Sequence, residues 1–142
     1  MSAPAAYDHY AHTHAAAFAP TGGAWSAGEI TAQLASPLAF LTGSEQAFAI
    51  GRVVAGEAEL LTLAVHPDVQ GQGLGRAQLT AFEAEARARG ATQAFLEVAE
   101  DNTAARALYA KAGYTELSRR ARYYARPAAP SVDALVLIKP LA

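Results

Sequence analysis

The sequence contains no cysteine, one methionine and one tryptophan among its 142 residues. The absence of cysteine excludes disulfide bonds and a thiol nucleophile, and it gives no support for secretion. No apolar run approaches the roughly 18 residues that a membrane-spanning helix needs. The first residues lack the basic and apolar regions of a signal peptide. We therefore expect a cytoplasmic protein with no membrane partner.

Charge is also scarce, since charged residues make up 17% of the chain and leave a formal net charge of −2. This balance offers no electrostatic basis for nucleic acid as the main partner, so we expect no DNA binding. Hydrophobic residues make up 52% of the chain. A chain of this length buries roughly two thirds of the surface that its unfolded form exposes. We therefore predict a single domain over residues 1–142, present as a monomer or weak dimer.

Two helices are predicted in the first quarter of the chain. The first stretch is rich in alanine and helical in character, with Pro4 near its start and a break at residues 20–23. The capping box Ser26-x-x-Glu29 predicts a second helix that begins at Ser26 and ends before Pro37.

Apolar runs bounded by turn residues predict the strands. The first three runs, at residues 38–41, 47–54 and 59–65, are separated by turns at 42–44 and 55–57 and indicate an antiparallel meander. A strand-helix-strand unit follows, and it requires parallel pairing or splaying of its strands, so we predict an α/β fold with a mixed sheet. In order, the pattern then predicts a helix over 75–89, a strand over 95–98, a helix over 103–112, and strands over 114–124 and 132–138 joined by a loop at 126–130.

The most informative segment is residues 63–76, Leu-Ala-Val-His-Pro-Asp-Val-Gln-Gly-Gln-Gly-Leu-Gly-Arg, where an apolar strand gives way to three alternating glycines and then a helix. Glycine lets the backbone close on an oxyanion and reach positive φ without steric cost. The spacing does not fit a dinucleotide fingerprint, because Arg76 stands where the third glycine would fall. No Gly-Lys-Ser/Thr follows, which excludes a nucleotide P-loop. The segment is therefore an anion cradle or a purely structural loop.

Two motifs together resemble the Gcn5-related N-acetyltransferases (GNAT): this glycine loop and the string Asn102-x-x-Ala105-x-x-x-Tyr109-x-x-x-Gly113-Tyr114. The resemblance implies a GNAT fold, with a central mixed sheet, a splayed strand pair at the acetyl-CoA site and about four helices. It implies acetyl-CoA as cosubstrate and no metal. The residues implied as coenzyme contacts are Leu63 and Val65 through their backbone, Gln70, Gly71, Gln72, Gly73, Leu74, Gly75, Arg76, Asn102 and Ala105.

The residues alone leave other interpretations open for several of these positions. Asn102 also fits a helix cap, and Arg76 also fits a solvated surface residue. The side chains of Leu63 and Val65 also fit the core. His9, His12 and His14 suggest a metal site, but they lie in a helical stretch with no acidic partner beyond Asp8, which argues against one.

Within the superfamily, the chain is similar to the bacterial ribosomal-protein-alanine N-acetyltransferases in several strings, among them Ala24-Trp25-Ser26, Leu96-Glu97-Val98 and residues 119–124. That family acetylates the N-terminal alanine of a ribosomal protein. The resemblance implies transfer to a protein N-terminal α-amine, with the peptide beside Trp25, Tyr123 and Tyr124. The alternatives are a small amine or a lysine as acceptor, and a coenzyme-binding module without catalysis.

Acetyl transfer to an amine requires a deprotonated nucleophile and a proton for the departing thiolate. Glu97 is the candidate base, because it is a carboxylate on an otherwise apolar strand where desolvation would penalise its charged form; the alternative is an outward-facing strand residue. Tyr109 is the candidate acid, with a core tyrosine as the alternative. The lack of cysteine favours direct attack over an acetyl-enzyme. The basic cluster is interpreted as a solvated strand face or a cover on the acceptor groove, and it comprises Arg119, Arg120, Arg122 and Arg126.

Overall fold

One six-stranded mixed sheet organises the computed structural model, which describes residues 6–19 and 23–142. Within these residues no helix is long and apolar enough to cross a membrane. The elements are α1 (Asp8–Phe18), α2 (Ala27–Leu34), β1 (Ala39–Ser44), β2 (Ala47–Val54), β3 (Glu57–Val65), α3 (Leu74–Ala88), β4 (Gln93–Ala99), α4 (Thr103–Lys111), β5 (Thr115–Arg126) and β6 (Ala129–Pro140).

The strands lie in the order β1-β2-β3-β4-β6-β5, and the pairing is antiparallel everywhere except between β3 and β4. This confirms the predicted mixed sheet. The parallel ladder joins Glu57–Leu60 to Gln93–Leu96 and then stops. Both strands continue, β3 to Val65 and β4 to Ala99, so they diverge beyond the ladder. The divergence opens a gap in the middle of the sheet.

Both faces of the sheet are covered by helices. Along β2, Phe48 and Ile50 face a cluster with α1 and α2, whereas Ala49 and Val53 face a larger cluster with α3 and α4. This alternation follows from the two-residue period of a strand. The helices on the two faces therefore reach the gap between β3 and β4 from opposite sides.

Local signals in the sequence account for several element ends. Ser26 Oγ accepts the Glu29 N–H at 3.1 Å, and Glu29 Oε1 accepts the Ser26 N–H at 3.1 Å, so the predicted capping box is confirmed. Gly73 begins α3 in the left-handed conformation. The predicted helix over 103–112 is confirmed, with Asn102 as its N-cap and Gly113 just beyond its end.

Two predicted loops were wrong. Residues 42–44 belong to β1, because Ser44 pairs with Ala47 and the hairpin turns at 45–46 instead. The proposed loop at 126–130 is only the turn at 127–128, since Arg126 pairs with Ala129 and β6 begins there. Strand pairing continues through Gly43, which keeps a φ of +90°, and β6 includes Pro130, so these residue types do not mark loops here. Pro4 and the break at residues 20–22 lie outside the described residues.

Candidate active site

A cavity of about 900 Å³ opens where β3 and β4 diverge. Beyond the ladder, Thr62 to Val65 still pair with β2 along one edge of β3. Among the described residues their other edge has no strand partner, so its N–H and C=O groups face the cavity. An extended ligand can pair with such an edge as an added strand.

The glycine loop forms one end of the cavity. Gly71 and Gly73 have φ values of +79° and +78°, and a Cβ added at either would meet nothing within 4 Å. No side chain caps α3 and no acidic residue lies in its first turn. The first N–H groups of a helix lack intrahelical partners and attract anions. The loop is therefore an open, electropositive backbone cradle.

Every residue predicted to contact the coenzyme lines this cavity except Gln72, which is exposed. Gln70 lines it and also braces the loop, because its Nε2 donates to the Val65 carbonyl at 3.0 Å. Asn102 lines it and caps α4, accepting the Ala105 N–H on Oδ1 at 3.2 Å. The Leu63 side chain packs on the core, and the residue also lines the cavity.

Glu97 lies on β4 immediately beyond the end of the parallel ladder and lines the cavity. Its side chain is 25% exposed, and Arg120 Nη2 lies 2.9 Å from Glu97 Oε1. Glu97 therefore has apolar neighbours along its own strand and a cationic partner, Arg120, on β5. Sequence spacing did not indicate this pair, because it joins residues 23 positions apart on strands separated by β6.

Tyr109 projects from α4, is 7% exposed, and lines the same cavity. Burial raises the pKa of Tyr109 to about 12, so its hydroxyl keeps its proton at neutral pH. The ring packs edge-on against Tyr114 with centroids 5.9 Å apart. The Tyr114 hydroxyl in turn donates to Glu83 Oε2 at 2.9 Å. Tyr109 is thus a core residue that also lines the cavity.

Aromatic and paired charged residues also line the cavity. Trp25 and Tyr124 line it, whereas Tyr123 does not and is 53% exposed. The Arg126 side chain is 10% exposed and holds Asp101 through two bonds of 2.8 and 2.9 Å. This contact lowers the pKa of Asp101, chiefly through the hydrogen bond from Arg126. Arg126 therefore lines the cavity as half of an ion pair.

Arg119 follows one of the two interpretations of the basic cluster, as a residue of an exposed strand face. It lies 3.1 to 3.4 Å from three carboxylates, on Glu116, Glu100 and Asp133. Its charge is balanced locally, so it contributes little to a basic surface.

His14 is a cavity residue that the sequence did not indicate. It is 1% exposed and lines the cavity, while His9 and His12 are exposed. Across residues 6–19 and 23–142, no three His, Cys, Asp or Glu side chains are grouped to hold a metal. The sequence did carry a signal for the burial of His14. Helical four-residue spacing places Tyr10, His14 and Phe18 on one face of α1, and this face packs towards the sheet.

The Acetyltransferase (GNAT) family model matches residues 3–114. Ribosomal protein bS18-alanine N-acetyltransferase of Haemophilus ducreyi is 34% identical over 117 residues, or 80% of this chain and 81% of that protein. The Escherichia coli K12 enzyme of the same name is 48% identical over 82 residues, or 58% of this chain and 55% of that protein. The chain thus matches only about half the length of the E. coli relative.

A solved structure extends the likeness to nearly the whole chain. The crystal structure of the ribosomal-protein-S18-alanine N-acetyltransferase from Escherichia coli superposes with a TM-score of 0.83 at 32% identity, covering 94% of this chain and 86% of that one. The family match, the sequence relatives and the superposition agree with the mixed sheet and the glycine loop described above. This chain therefore belongs to the GNAT family of acetyltransferases.

Proposed function

We propose that this protein is an acetyl-CoA-dependent N-acetyltransferase whose acceptor is the N-terminal α-amine of a protein, with an N-terminal alanine of a ribosomal protein as the preferred case. We place its activity in the cytoplasm. The observation that carries the proposal is a single cavity lined by the glycine loop, by Glu97 and Tyr109, and by Trp25 and Tyr124. Donor, proton-transfer and acceptor groups thus share one space.

The residues around the cavity fit acetyl-CoA. The open space at Gly71 and Gly73, together with the uncapped N-terminus of α3, suits a pyrophosphate, and Arg76 lines the same end. The unpaired edge of β3 suits the amide groups of a pantetheine arm. When bound, acetyl-CoA supplies the thioester that the amine attacks.

The proposed proton transfers use two residues. Glu97 accepts the proton that the acceptor amine loses, directly or through a water molecule. Tyr109 donates a hydrogen bond and then its proton to the departing thiolate, since burial keeps its hydroxyl protonated. No residue is acetylated on this route, which is consistent with a chain that has no cysteine.

An N-terminal amine is the easier acceptor for a site with one carboxylate base. The unperturbed pKa of an α-amino group is about 7.7 to 8.0, against about 10.4 for lysine, so far more of it is deprotonated at neutral pH. The names of the Escherichia coli and Haemophilus ducreyi relatives specify an alanine of bS18 as their acceptor. This supports the same class of acceptor here.

A direct test is incubation with isotope-labelled acetyl-CoA and two peptides that share one lysine-containing sequence. One peptide begins with a free alanine, and the other has its α-amine blocked. We expect label on the α-amine of the first peptide and none on the second, as read by mass spectrometry. Label on lysine alone, or on small amines in preference to both peptides, would overturn the proposal.

A further inference from the structure

His14 joins three elements around the acceptor end of the cavity. From α1, its Nδ1 accepts the backbone N–H of Trp25 at 3.0 Å, and its Nε2 lies 2.8 Å from Oγ1 of Thr62 on β3. Its ring stacks on Phe18 and on Trp25, with centroids 4.3 and 5.5 Å apart. Trp25 immediately precedes Ser26, the cap of α2.

These contacts fix the protonation state of the ring. Because a backbone N–H points at Nδ1, that nitrogen carries no proton, and Nε2 is the donor to Thr62. Desolvation by burial lowers the pKa of His14 from 6.5 to about 4, partly countered by the Glu29 carboxylate. The sheet presents only uncharged side chains to the ring among the described residues, namely Thr62 from β3 and Phe48 from β2. The neutral ring is thus the form that holds the contacts.

The position of His14 suggests more than a structural role. His14, Trp25 and Thr62 all line the cavity, so the hydrogen-bonded group forms part of its wall. Thr62 also precedes Leu63, whose backbone lies at the start of the unpaired edge of β3. A shift of Trp25 would therefore change the shape of the cavity wall that Trp25, His14 and Thr62 form.

We propose that His14 is a positioning residue of the acceptor site: its neutral ring holds the Trp25 backbone, and thereby the cavity wall against which the acceptor peptide lies. This inference rests on the proposed function. A proton added at Nδ1 would face the Trp25 N–H, donor against donor, and the contact would be lost. Acceptor binding then weakens in acid while coenzyme binding at the glycine loop does not.

Two variants separate the contact with Trp25 from the contact with Thr62. In His14→Asn the side-chain oxygen can take the place of Nδ1 and accept the Trp25 N–H, whereas in His14→Gln the longer amide takes the place of Nε2 and reaches only Thr62. We expect His14→Gln to raise the KM of the alanine peptide about tenfold, the effect of one lost hydrogen bond, with the KM of acetyl-CoA within about twofold. We expect His14→Asn to stay within about threefold for both.

A second measurement uses pH and the N-acetylated product peptide, which has no titrating amine. We expect its binding to the wild type to weaken as the pH falls through about 4, and this component of the pH dependence to be absent in His14→Asn. Thermal unfolding of both variants at pH 7.5 identifies any loss of folding.

The outcomes of these experiments are separable from those of the proposed function. Equal changes in both KM values, or no change in His14→Gln, would overturn the role of His14 even if the wild type acetylates the peptide. If the wild type acetylates only lysine or small amines, the proposed function falls, and the same comparison with that acceptor decides the role of His14. A wild type that acetylates no acceptor overturns both.

Discussion

The two ends of the cavity are built from different parts of the chain. The end proposed for the coenzyme is formed largely by backbone, namely an uncapped helix N-terminus, left-handed glycines and the unpaired edge of β3, with Arg76 and Asn102 beside them. The end proposed for the acceptor consists of side chains from α1, β5 and the residue ahead of α2, held by the contacts of His14 and Arg126. A backbone site depends on local conformation, whereas a side-chain site depends on contacts between distant residues. Substitutions should therefore affect the two ends by different physical routes.

The largest expected effect lies between the two ends, at Glu97. Glu97→Gln removes the proposed base with little change of shape, and we expect kcat for the alanine peptide to fall about 10² to 10³-fold with the affinity for acetyl-CoA unchanged. Steady-state kinetics and coenzyme titration measure both quantities. Glu116→Gln, which removes a carboxylate paired with Arg119 on the exposed strand, is the control. Normal turnover in Glu97→Gln would refute the role of the base.

The acceptor end should also respond to acid through His14. Its pKa in the folded state, about 4, lies below the unfolded value of 6.5. Its contribution to stability is therefore fully present above pH 6.5 and is lost as the pH falls through 4, up to about 3 kcal/mol. Urea unfolding at several pH values, compared with His14→Asn, isolates this contribution. Parallel pH profiles for the two proteins would contradict it.

The coenzyme end should respond to backbone strain at its glycines. Gly73→Ala places a side chain in open space but at φ near +78°, which costs about 1 to 2 kcal/mol of stability. Relief of that strain moves the cradle, so we expect the Kd for CoA to rise about tenfold while the product peptide binds normally. The control is Gly90→Ala, with φ +88° and equally open space at the other end of α3. An equal loss of CoA affinity in both variants would show that the effect is not local.

The smallest expected effect concerns the pair between Arg126 and Asp101 at the acceptor end. Arg126→Gln removes a well-formed pair whose carboxylate is partly exposed, and such pairs contribute little, so we expect only a three- to fivefold rise in the KM of the peptide. Asp101→Asn should give a similar change, and the double variant should add nothing further. A larger effect on the KM of acetyl-CoA than on the KM of the peptide would assign the pair to the coenzyme end and contradict this prediction.

The same difference between the two ends explains what the sequence could predict. The glycine spacing and Asn102 are local signals, so the loop and the helix cap followed from them, and the mixed sheet followed from the order of strands and helices. The pair between Glu97 and Arg120 and the contacts of His14 join residues far apart in sequence, and no local pattern encodes them. Gly43 has the positive φ typical of a turn residue but pairs with Phe48 inside β1, so residue type alone misplaced the hairpin turn.

The gap between β3 and β4 makes the sheet incomplete until a ligand lies along it. A bound pantetheine arm would then act as a missing strand segment, and its binding energy would become part of the stability of the fold. Amide hydrogens on the unpaired edge of β3 should exchange with solvent more slowly when coenzyme is bound, while those paired with β2 change less. Hydrogen exchange along β3 would then report whether the coenzyme is bound.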